Sequence, residues 1–410
     1  MLLLGCGAAG TRGEPVTRGV DGPARRVRPG IDVLLADSVH LVRGRRVGLV
    51  TNQTGLDADG RRDVDRLIAA GIRVTTLFGP EHGLYGTIDV DAPVDRPRFV
   101  DSSTGLPAYV LHAGGAPIAP TPEMLANVDV LLVDLQDVGA RYYTYPVTAA
   151  LVMQAAARAR LPVVVLDRPN PIGALVQGNS GDTLTPSAVS RFPLAMRHGM
   201  TIGEVSLLAR RLLALDVDLR VVPVAGWRRS MLYEETGLPF VPPSVNLPTT
   251  ESLFHYPGLC LFEGTNLSVG RGTDAPFRQV GAAWLDTTGI LATLRAARLP
   301  GVRFEGVEFT PVRPGDGKLA GQRLAGIRLI LTDAASYDPT LVAVHLLAAL
   351  QQRHPGAFEI RAAQFDRLAA GAGLRERVLA GEPAGAIADG WRASRERFLA
   401  RRAPFLVYPD

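Results

Sequence analysis

Four polar clusters follow apolar segments of this chain, and they contain side chains that can act as acids, bases and anion ligands. They are Thr51-Asn52-Gln53, Glu81-His82, Asp134 with Gln136, Asp137 and Arg141, and Asp167-Arg168 with Asn170. Turns with a purely structural role use mainly Gly, Pro, Asn, Asp and Ser. One such cluster would be weak evidence, whereas four that converge on one edge of a sheet indicate an active-site cleft.

Glu81 is the strongest candidate for a catalytic group. It follows an apolar segment and the dipeptide Gly79-Pro80, where a tight turn is expected. A carboxyl group that is partly removed from water there has a raised pKa and can act as a general acid. The alternatives are a helix cap or an ordinary surface side chain. His82 could orient Glu81, bind a substrate or simply pack.

A sugar-cleaving enzyme usually needs a second carboxyl group, about 5–5.5 Å from the first in retaining enzymes and about 6.5–9.5 Å in inverting ones. We name Asp137 as this second catalytic candidate, with Asp134, Asp167 and Glu263 as alternatives. An N-acetylated sugar can also use its own acetamido oxygen as the nucleophile. The sequence does not give the distances that separate these cases.

Substrate-binding candidates occur in the same clusters and in a second stretch, residues 262–274 (FEGTNLSVGRGTD). Arginine offers bidentate geometry to a carboxylate, and the alternative for each arginine is a structural ion pair. Tyrosines near residue 143 could form a platform for a sugar, although alternation along an extended segment would bury at least one of them. The candidates are Asn52, His82, Asp134, Gln136, Arg141, Tyr143, Asp167, Arg168, Asn170, Glu263, Asn266 and Arg271.

Near-continuous apolar segments that alternate with helical ones predict the fold. The predicted strands are residues 46–51, 74–78, 128–135 and 162–166. This pattern is typical of a parallel sheet covered on both faces, and right-handed crossovers make it a doubly wound, Rossmann-like α/β domain. Ligands bind beyond the carboxyl ends of strands in such sheets, which is where the polar clusters lie.

The chain is predicted to have two folded domains after a short leader. Residues 1–28 are interpreted as a signal remnant or tether, residues 29–250 as the catalytic domain, and residues 251–410 as a smaller α+β domain. The second domain has predicted strands near residues 302–309 and 327–331 and a long helix near residues 340–352. Residues 236–250, rich in Pro, Ser and Thr, are predicted to be an ordered connection.

Composition excludes several classes of protein. The net charge of +4 is spread over 44 basic and 40 acidic residues, so no nucleic-acid partner is expected. Lys318 is the only lysine and is followed by leucine, which excludes a Walker A loop. Two cysteines cannot build a disulfide framework or a Cys-rich zinc site. These observations exclude a P-loop nucleotide site and a Cys-rich zinc site, and no apolar run is long enough for a transmembrane span.

The first residues contain two short motifs. Residues 5–10 match G-x-G-x-x-G, but the strand and helix that a dinucleotide site requires are missing around them. Leu3-Leu4-Gly5-Cys6 resembles a bacterial lipobox, although the basic and longer apolar segments of a signal peptide are absent. The alternatives are a lipid anchor at Cys6, with a start codon upstream of the one given, or an accidental likeness.

Several segments together resemble the exo-β-N-acetylmuramidase (NamZ) family, long labelled DUF1343. The likeness covers roughly residues 30–410. The resembling segments are residues 30–32, 47–55 (VGLVTNQTG), 77–83 (LFGPEHG), 120–124, 134–145 (DLQDVGARYYTY), 166–171 (LDRPNP), 197–201 (RHGMT), 237–248 and 261–273. The segment around residues 319–327 looks less typical of the family.

The resemblance implies release of β-1,4-linked N-acetylmuramic acid from the non-reducing ends of peptidoglycan fragments. We expect the protein to be secreted or to lie in the cell envelope. The resemblance also points to Glu81 as the leading catalytic residue and implies no metal or nucleotide. Muramic acid carries a lactyl carboxylate, so a positioned cation is expected. One alternative is a lipid-anchored solute-binding protein without catalysis. Another is a metal-dependent hydrolase that uses His82, Asp89 and Asp91.

Overall fold

The computed structural model describes residues 26–88, 97–112, 118–181, 187 and 189–410. The predicted lipid anchor at Cys6 and almost all of the predicted tether lie outside these residues, as do Asp89 and Asp91. Every helix within the described ranges falls short of the length and apolarity that a membrane crossing requires.

The larger sheet has seven strands in the order β3-β4-β2-β1-β5-β6-β7. Its neighbouring strands are parallel except for β3, which pairs antiparallel with β4 at one edge. The strands are β1 (Arg46–Thr51), β2 (Arg73–Gly79), β3 (Arg98–Val100), β4 (Pro107–Val110), β5 (Val130–Asp134), β6 (Val163–Leu166) and β7 (Leu219–Val222). The α/β class predicted from the sequence is confirmed.

Strands β1 and β5 lie side by side, and the chain moves outward from them in opposite directions. This is the switch point at which open α/β sheets bind ligands. Thr51 at the end of β1 is in register with Asp134 at the end of β5. The four polar clusters of the sequence therefore begin at the ends of four neighbouring strands, β2, β1, β5 and β6.

Helices flank this sheet, and further helices pack on the strands of the second one. Those of the described residues are α1 (Gly30–Asp37), α2 (Asp63–Ala69), α3 (Pro122–Leu125), α4 (Thr144–Ala159), α5 (Ile202–Leu212), α6 (Thr250–Leu259), α7 (Thr287–Ala296), α8 (Pro339–Arg353), α9 (Ala362–Ala369), α10 (Gly373–Leu379), α11 (Ala384–Asp389) and α12 (Arg392–Arg402). Of these, α6 and α7 pack on the strands of the second sheet. The Thr201 side chain and Glu204 form a capping box that starts α5.

The smaller sheet is antiparallel, in the order β8-β10-β9, with β8 (Gln279–Ala282), β9 (Val302–Phe309) and β10 (Leu324–Leu331). One cluster of buried apolar side chains runs from β5 and β6 through α4 to α6 and α8. The last residues return to the first sheet, where the Tyr408 hydroxyl donates to Asp167 Oδ2 at 2.5 Å. The two sheets are thus joined by a continuous core.

The segment with the tyrosines differs from the prediction. Helix α4 begins at Thr144, with Tyr143 as its N-cap residue, so the alternation of an extended strand does not apply. Tyr142, Tyr143 and Tyr145 are all buried. They turn inward because the chain enters a helix there that packs on the core.

Gly258 allows α6 and α8 to pack closely, and its replacement should destabilise the protein. A Cβ atom at Gly258 would lie 2.1 Å from the carbonyl oxygen of Pro339. We expect Gly258→Ala to lower the free energy of unfolding by about 1–3 kcal/mol through overpacking. Gly385→Ala in α11 is the control, since nothing lies near its Cβ position, and it should stabilise the helix by up to about 1 kcal/mol. Urea unfolding measures both, and equal effects would contradict this account.

Candidate active site

A cavity of about 220 Å³ lies where the first sheet meets the second part of the chain. Its wall combines the turn after β2, the start of α4, the connection before α6, the segment after α6 and helix α9. The lining residues are Glu81, His82, Tyr142, Tyr143, Thr144, Val189, Ser244, Asn246, Leu247, Tyr256, Cys260, Glu263, Arg271, Phe277, Asp316, Gln364, Arg367 and Leu368. Segments far apart in sequence therefore share one site.

The turn after β2 directs Glu81 into this cavity. The backbone of Leu84 folds back on Gly79, where a Cβ atom would lie 2.5 Å from the Leu84 nitrogen. His82 has a φ of +70°, a conformation that bulky residues rarely adopt. Its Nδ1 lies 2.8 Å from the carbonyl oxygen of Ile88, which closes the turn. The turn is therefore tight, and it holds Glu81 at the edge of the sheet.

The carboxyl group of Glu81 has one hydroxyl partner and a raised pKa. The Thr144 hydroxyl donates to Glu81 Oε2 at 2.5 Å. Burial raises the pKa of Glu81, and the charge of Glu263 adds to this effect. His82, the hydrogen bond from Thr144 and the charge of Arg271 oppose the increase without cancelling it. A carboxyl group in this environment keeps its proton to higher pH than an exposed one.

Glu263 is the second carboxyl group of the cavity that the sequence named. The guanidinium of Arg271 forms an ion pair with Glu263 Oε1 and lies 5.6 Å from the centre of the Phe277 ring. Both charged side chains are about 15% exposed, so the pair is open to the cavity and otherwise enclosed. Cys260 Sγ lies 3.5 Å from Glu263 Oε2, and burial raises the pKa of this thiol.

Tyr143 lines the cavity, but its hydroxyl is already used. It donates to the carbonyl oxygen of Pro243 at 2.8 Å, and Tyr145 donates to the same oxygen at 3.1 Å. Asn52 Nδ2 in turn donates to the Tyr145 hydroxyl at 2.6 Å. The tyrosines fix the connection before α6 against α4. What Tyr143 can offer a ligand is its ring.

A buried ion pair occupies the ends of β5 and β6. Arg168 Nε donates to Asp134 Oδ1 at 2.5 Å, and Arg168 also donates to the carbonyl oxygen of Leu56 at 2.8 Å. The two side chains are 5% and 1% exposed. Gln136 bridges the neighbouring loops by donating to the carbonyl oxygens of Asp137 and Pro169. None of these side chains lines the cavity that contains Glu81.

Asp137, Asp167 and Asn170 are also bound within the protein. Asp137 lies 3.2 Å from His198 Nε2 and accepts from the Gly139 nitrogen. Asp167 accepts from Thr201, from the Gly203 nitrogen and from Tyr408, and burial raises its pKa to about 6. Asn170 donates to the carbonyl oxygen of Met200. The structure does not bring Asp137 beside Glu81 in the cavity.

Two further candidates also hold the backbone. Arg141 is buried and donates to the carbonyl oxygens of Asn179, Leu194 and Leu368. Asn266 donates to the carbonyl oxygen of Ala357 and accepts from the Glu359 nitrogen. Of the predicted residues, the cavity therefore combines Glu81, His82, Tyr143, Glu263 and Arg271.

Several cavity residues were not predicted. Thr144 and Asn246 belong to segments that the sequence did single out, the tyrosine segment and the connection before α6. The only signal for these two residues in the sequence was that they stand near the predicted site residues along the chain. Gln364 and Arg367 lie on α9 and Asp316 in a loop, where the sequence carried no signal of a site. Polar residues that the structure adds to the site include Thr144, Ser244, Asn246, Tyr256, Asp316, Gln364 and Arg367.

Comparison with known proteins identifies the family. Residues 47–251 match the model for the N-terminal part of exo-β-N-acetylmuramidase NamZ, and residues 254–408 match the model for its C-terminal part. The chain belongs to the NamZ family. It is 39% identical over 390 residues to the peptidoglycan β-N-acetylmuramidase NamZ of Bacillus subtilis (strain 168), with 93% of this chain and 92% of that protein covered. It is thus a glycoside hydrolase.

Two solved structures of DUF1343 proteins from Bacteroides fragilis NCTC 9343 have the same fold as this NamZ family member. One has a TM-score of 0.84 and 32% identity, and covers 94% of this chain and 100% of its own. The other has a TM-score of 0.72 and 28% identity, and covers 94% of this chain and 99% of its own. The family label given to the resembling segments is confirmed.

The Asp134–Arg168 contact predicts a structural effect. Asp134→Asn removes the carboxylate that Arg168 contacts directly and leaves Asp63 as the remaining buried carboxylate beside the guanidinium, so we expect a loss of up to about 3–5 kcal/mol in the free energy of unfolding. Asp218→Asn is the control, because its pair with Arg220 is more than half exposed and should change stability by about 0–1 kcal/mol. Chemical unfolding measures both. An Asp134→Asn protein of normal stability that has lost all turnover would instead assign Asp134 to the chemistry.

Proposed function

We propose that this chain is an exo-acting hydrolase that releases β-1,4-linked N-acetylmuramic acid from the non-reducing ends of peptidoglycan fragments, with Glu81 as the general acid. The observation that carries the proposal is the buried Glu81 carboxyl group, with its raised pKa, in a cavity that also contains Glu263. The name of the Bacillus subtilis relative, peptidoglycan β-N-acetylmuramidase, supports the substrate class.

Glu81 acts by protonating the oxygen of the bond that breaks. The raised pKa keeps the carboxyl group protonated at higher pH, so that a proton is available to the leaving alcohol. As the bond between the anomeric carbon and this oxygen lengthens, the sugar gains oxocarbenium character. Enclosure of the site reduces competition from water for the proton and strengthens electrostatic interactions.

The second carboxylate that we propose is Glu263 in place of Asp137. Glu263 lines the cavity with Glu81, whereas Asp137 is bound to His198. A carboxylate beside the reacting sugar stabilises the positive charge at the anomeric carbon. The same group can direct a water molecule or orient the acetamido oxygen of the sugar. The anomeric configuration of the released product shows whether the reaction inverts or retains the configuration at the anomeric carbon.

Arg271 is the cation that we assign to the lactyl carboxylate of muramic acid. Of the three predicted arginines, Arg141 and Arg168 are bound to carbonyl oxygens or to Asp134 outside the cavity, whereas Arg271 lines it. Arg367 is exposed at the same cavity and adds positive charge to its rim. A carboxylated sugar therefore has a complementary partner in this site.

We further propose that the protein works at the cell envelope, either secreted or anchored by a lipid on Cys6. Peptidoglycan lies outside the cytoplasmic membrane, so the proposed substrate requires export. The motif at Cys6 supports the anchored form.

Glu81→Gln should lower kcat/KM on a muramic-acid-terminated disaccharide by about 10²–10⁴-fold, the usual contribution of a general acid. Glutamine keeps the size of the side chain and removes its proton. The exposed Glu234→Gln is the control and should retain full activity. Release of N-acetylmuramic acid, followed by chromatography, is the measurement. Full activity of Glu81→Gln would reject its role, and binding without turnover by the wild type would favour a solute-binding protein.

Thr144→Val should shift the pH dependence in a defined direction. The hydroxyl of Thr144 favours the ionised form of Glu81, so its loss raises the pKa of Glu81 further. A general acid is active while protonated, and the alkaline limb of kcat/KM should move to higher pH. Thr148→Val, one helical turn away, removes a hydroxyl bound to the Thr144 carbonyl and serves as the control. A move to lower pH would contradict the assignment.

A further inference from the structure

The loop between β9 and β10, residues 310–323, contains the only lysine of the chain, Lys318. Arginine occupies all the other strongly basic positions. The loop reaches away from its own sheet to the wall of the cavity, where Asp316 lines the site. Lys318 follows two residues later, and its backbone nitrogen donates to Asp316 Oδ1 at 3.1 Å.

The ammonium group of Lys318 lies among backbone carbonyl oxygens of one turn. Nζ is 2.6 Å from the carbonyl oxygen of Glu263 and 3.0 Å from that of Thr265. The carbonyl oxygens of Phe262 and Leu267 are at 3.4 and 3.5 Å. All four oxygens belong to residues 262–267, the turn that carries the Glu263 side chain. One cation therefore holds the backbone on both sides of a cavity carboxylate.

The same loop also fixes the partner of Glu263. The Val312 nitrogen donates to the carbonyl oxygen of Gly272 at 2.8 Å, directly after Arg271. Gly272 has a φ of +74°, and a Cβ atom there would lie 2.8 Å from the Pro314 nitrogen. The loop thus packs against the backbone at both members of the Glu263–Arg271 ion pair.

We propose that Lys318 is a positioning residue: its ammonium group fixes the turn of residues 262–267 and thereby sets the place of the Glu263 carboxylate in the cavity. The inference rests on the proposed function, because it gives Glu263 a part in the reaction. Lys318 itself does not line the cavity and acts through Glu263.

The geometry suits lysine better than arginine. An ammonium is a compact charge with three donors that can point to several converging acceptors, whereas a guanidinium is larger and planar. The carbonyl oxygens of residues 262–267 converge on one point, as the ligands of a small monovalent cation do. This explains why lysine occurs here in a chain that otherwise uses arginine.

Charged groups on several elements face this ammonium. Burial lowers the pKa of Lys318 to about 8, and Arg361 and Arg271 act in the same direction. Asp316 and Glu263 oppose the decrease. The lysine is therefore mainly charged at neutral pH, which the attraction to the carbonyl oxygens requires.

A double-mutant cycle tests the inference with the full chain. Lys318→Met keeps an unbranched side chain, one atom shorter, and removes the charge. A displaced Glu263 should then lower kcat/KM by about 10–100-fold. Glu263→Gln should lower it by at least as much. If Lys318 acts through Glu263, the double variant should have the same kcat/KM as Glu263→Gln alone. The effects of substituting two residues in contact are not additive when both act through the same group. Additive losses, or an active Lys318→Met protein, would overturn the inference.

Chemical rescue adds a readout that general loss of stability would not produce. In Lys318→Ala, added methylammonium should occupy the carbonyl oxygens and restore part of kcat/KM, while tetramethylammonium, which cannot donate a hydrogen bond, should not. Lys318→Arg should remain impaired if convergent geometry is required. Rescue by both cations would count against the proposal. So would rescue by neither cation if the Lys318→Ala protein is folded.

The single lysine permits a test that keeps it in place. Selective ¹³C labelling of lysine gives one side-chain signal, which should shift when a muramic-acid-terminated disaccharide binds to Glu81→Gln, because the sugar contacts the turn that Nζ holds. An unchanged signal at saturation would reject the inference. This result is independent of turnover, so it is separable from failure of the Glu81 assignment.

Discussion

The buried ion pair between Arg168 and Asp134 holds together the edge of the sheet on which the site is built. Arg168 follows β6 and Asp134 ends β5, and the same guanidinium reaches the carbonyl oxygen of Leu56 beyond β1. Three consecutive strand ends are thus tied by one side chain. A buried charge that lost its partner would be strongly unfavourable, so these loops have little freedom, and the turn with Glu81 is built beside a rigid edge.

Several acidic side chains near the cavity are held by partners within the protein, and this limits which groups remain available for chemistry. Asp167 is bound by Thr201, Gly203 and the distant Tyr408, which also ties the chain end to the first sheet. The Glu81 carboxyl group accepts a hydrogen bond from the hydroxyl of Thr144 and lies in the cavity wall. The difference between a structural and a reactive carboxyl group is therefore one of partners and access, since both are acids enclosed by the same edge of the sheet.

Sequence patterns predicted the sheet well and the site only in part. The apolar segments before residues 52, 79 and 135 became β1, β2 and β5, because buried parallel strands leave a clear signal. Edge strand β3 and the short β7 and β8 lacked such a signal. Glu81 and Glu263 reach the cavity, whereas Asp137, in a cluster that was equally suggestive, faces His198. A cluster specifies which loop is near a site, but not where each side chain points.

The sequence by itself determined the alternation of apolar and polar segments, hence the parallel sheet, the edge at which its polar loops gather, and the motifs of the family. Only the tertiary structure decided that Asp134 is paired with Arg168, that Glu81 shares a cavity with Glu263, and that Lys318 supports the turn beneath it. The physical reason is that strand burial is encoded in neighbouring residues, whereas the state of a buried polar group depends on partners that lie tens or hundreds of residues away in the chain.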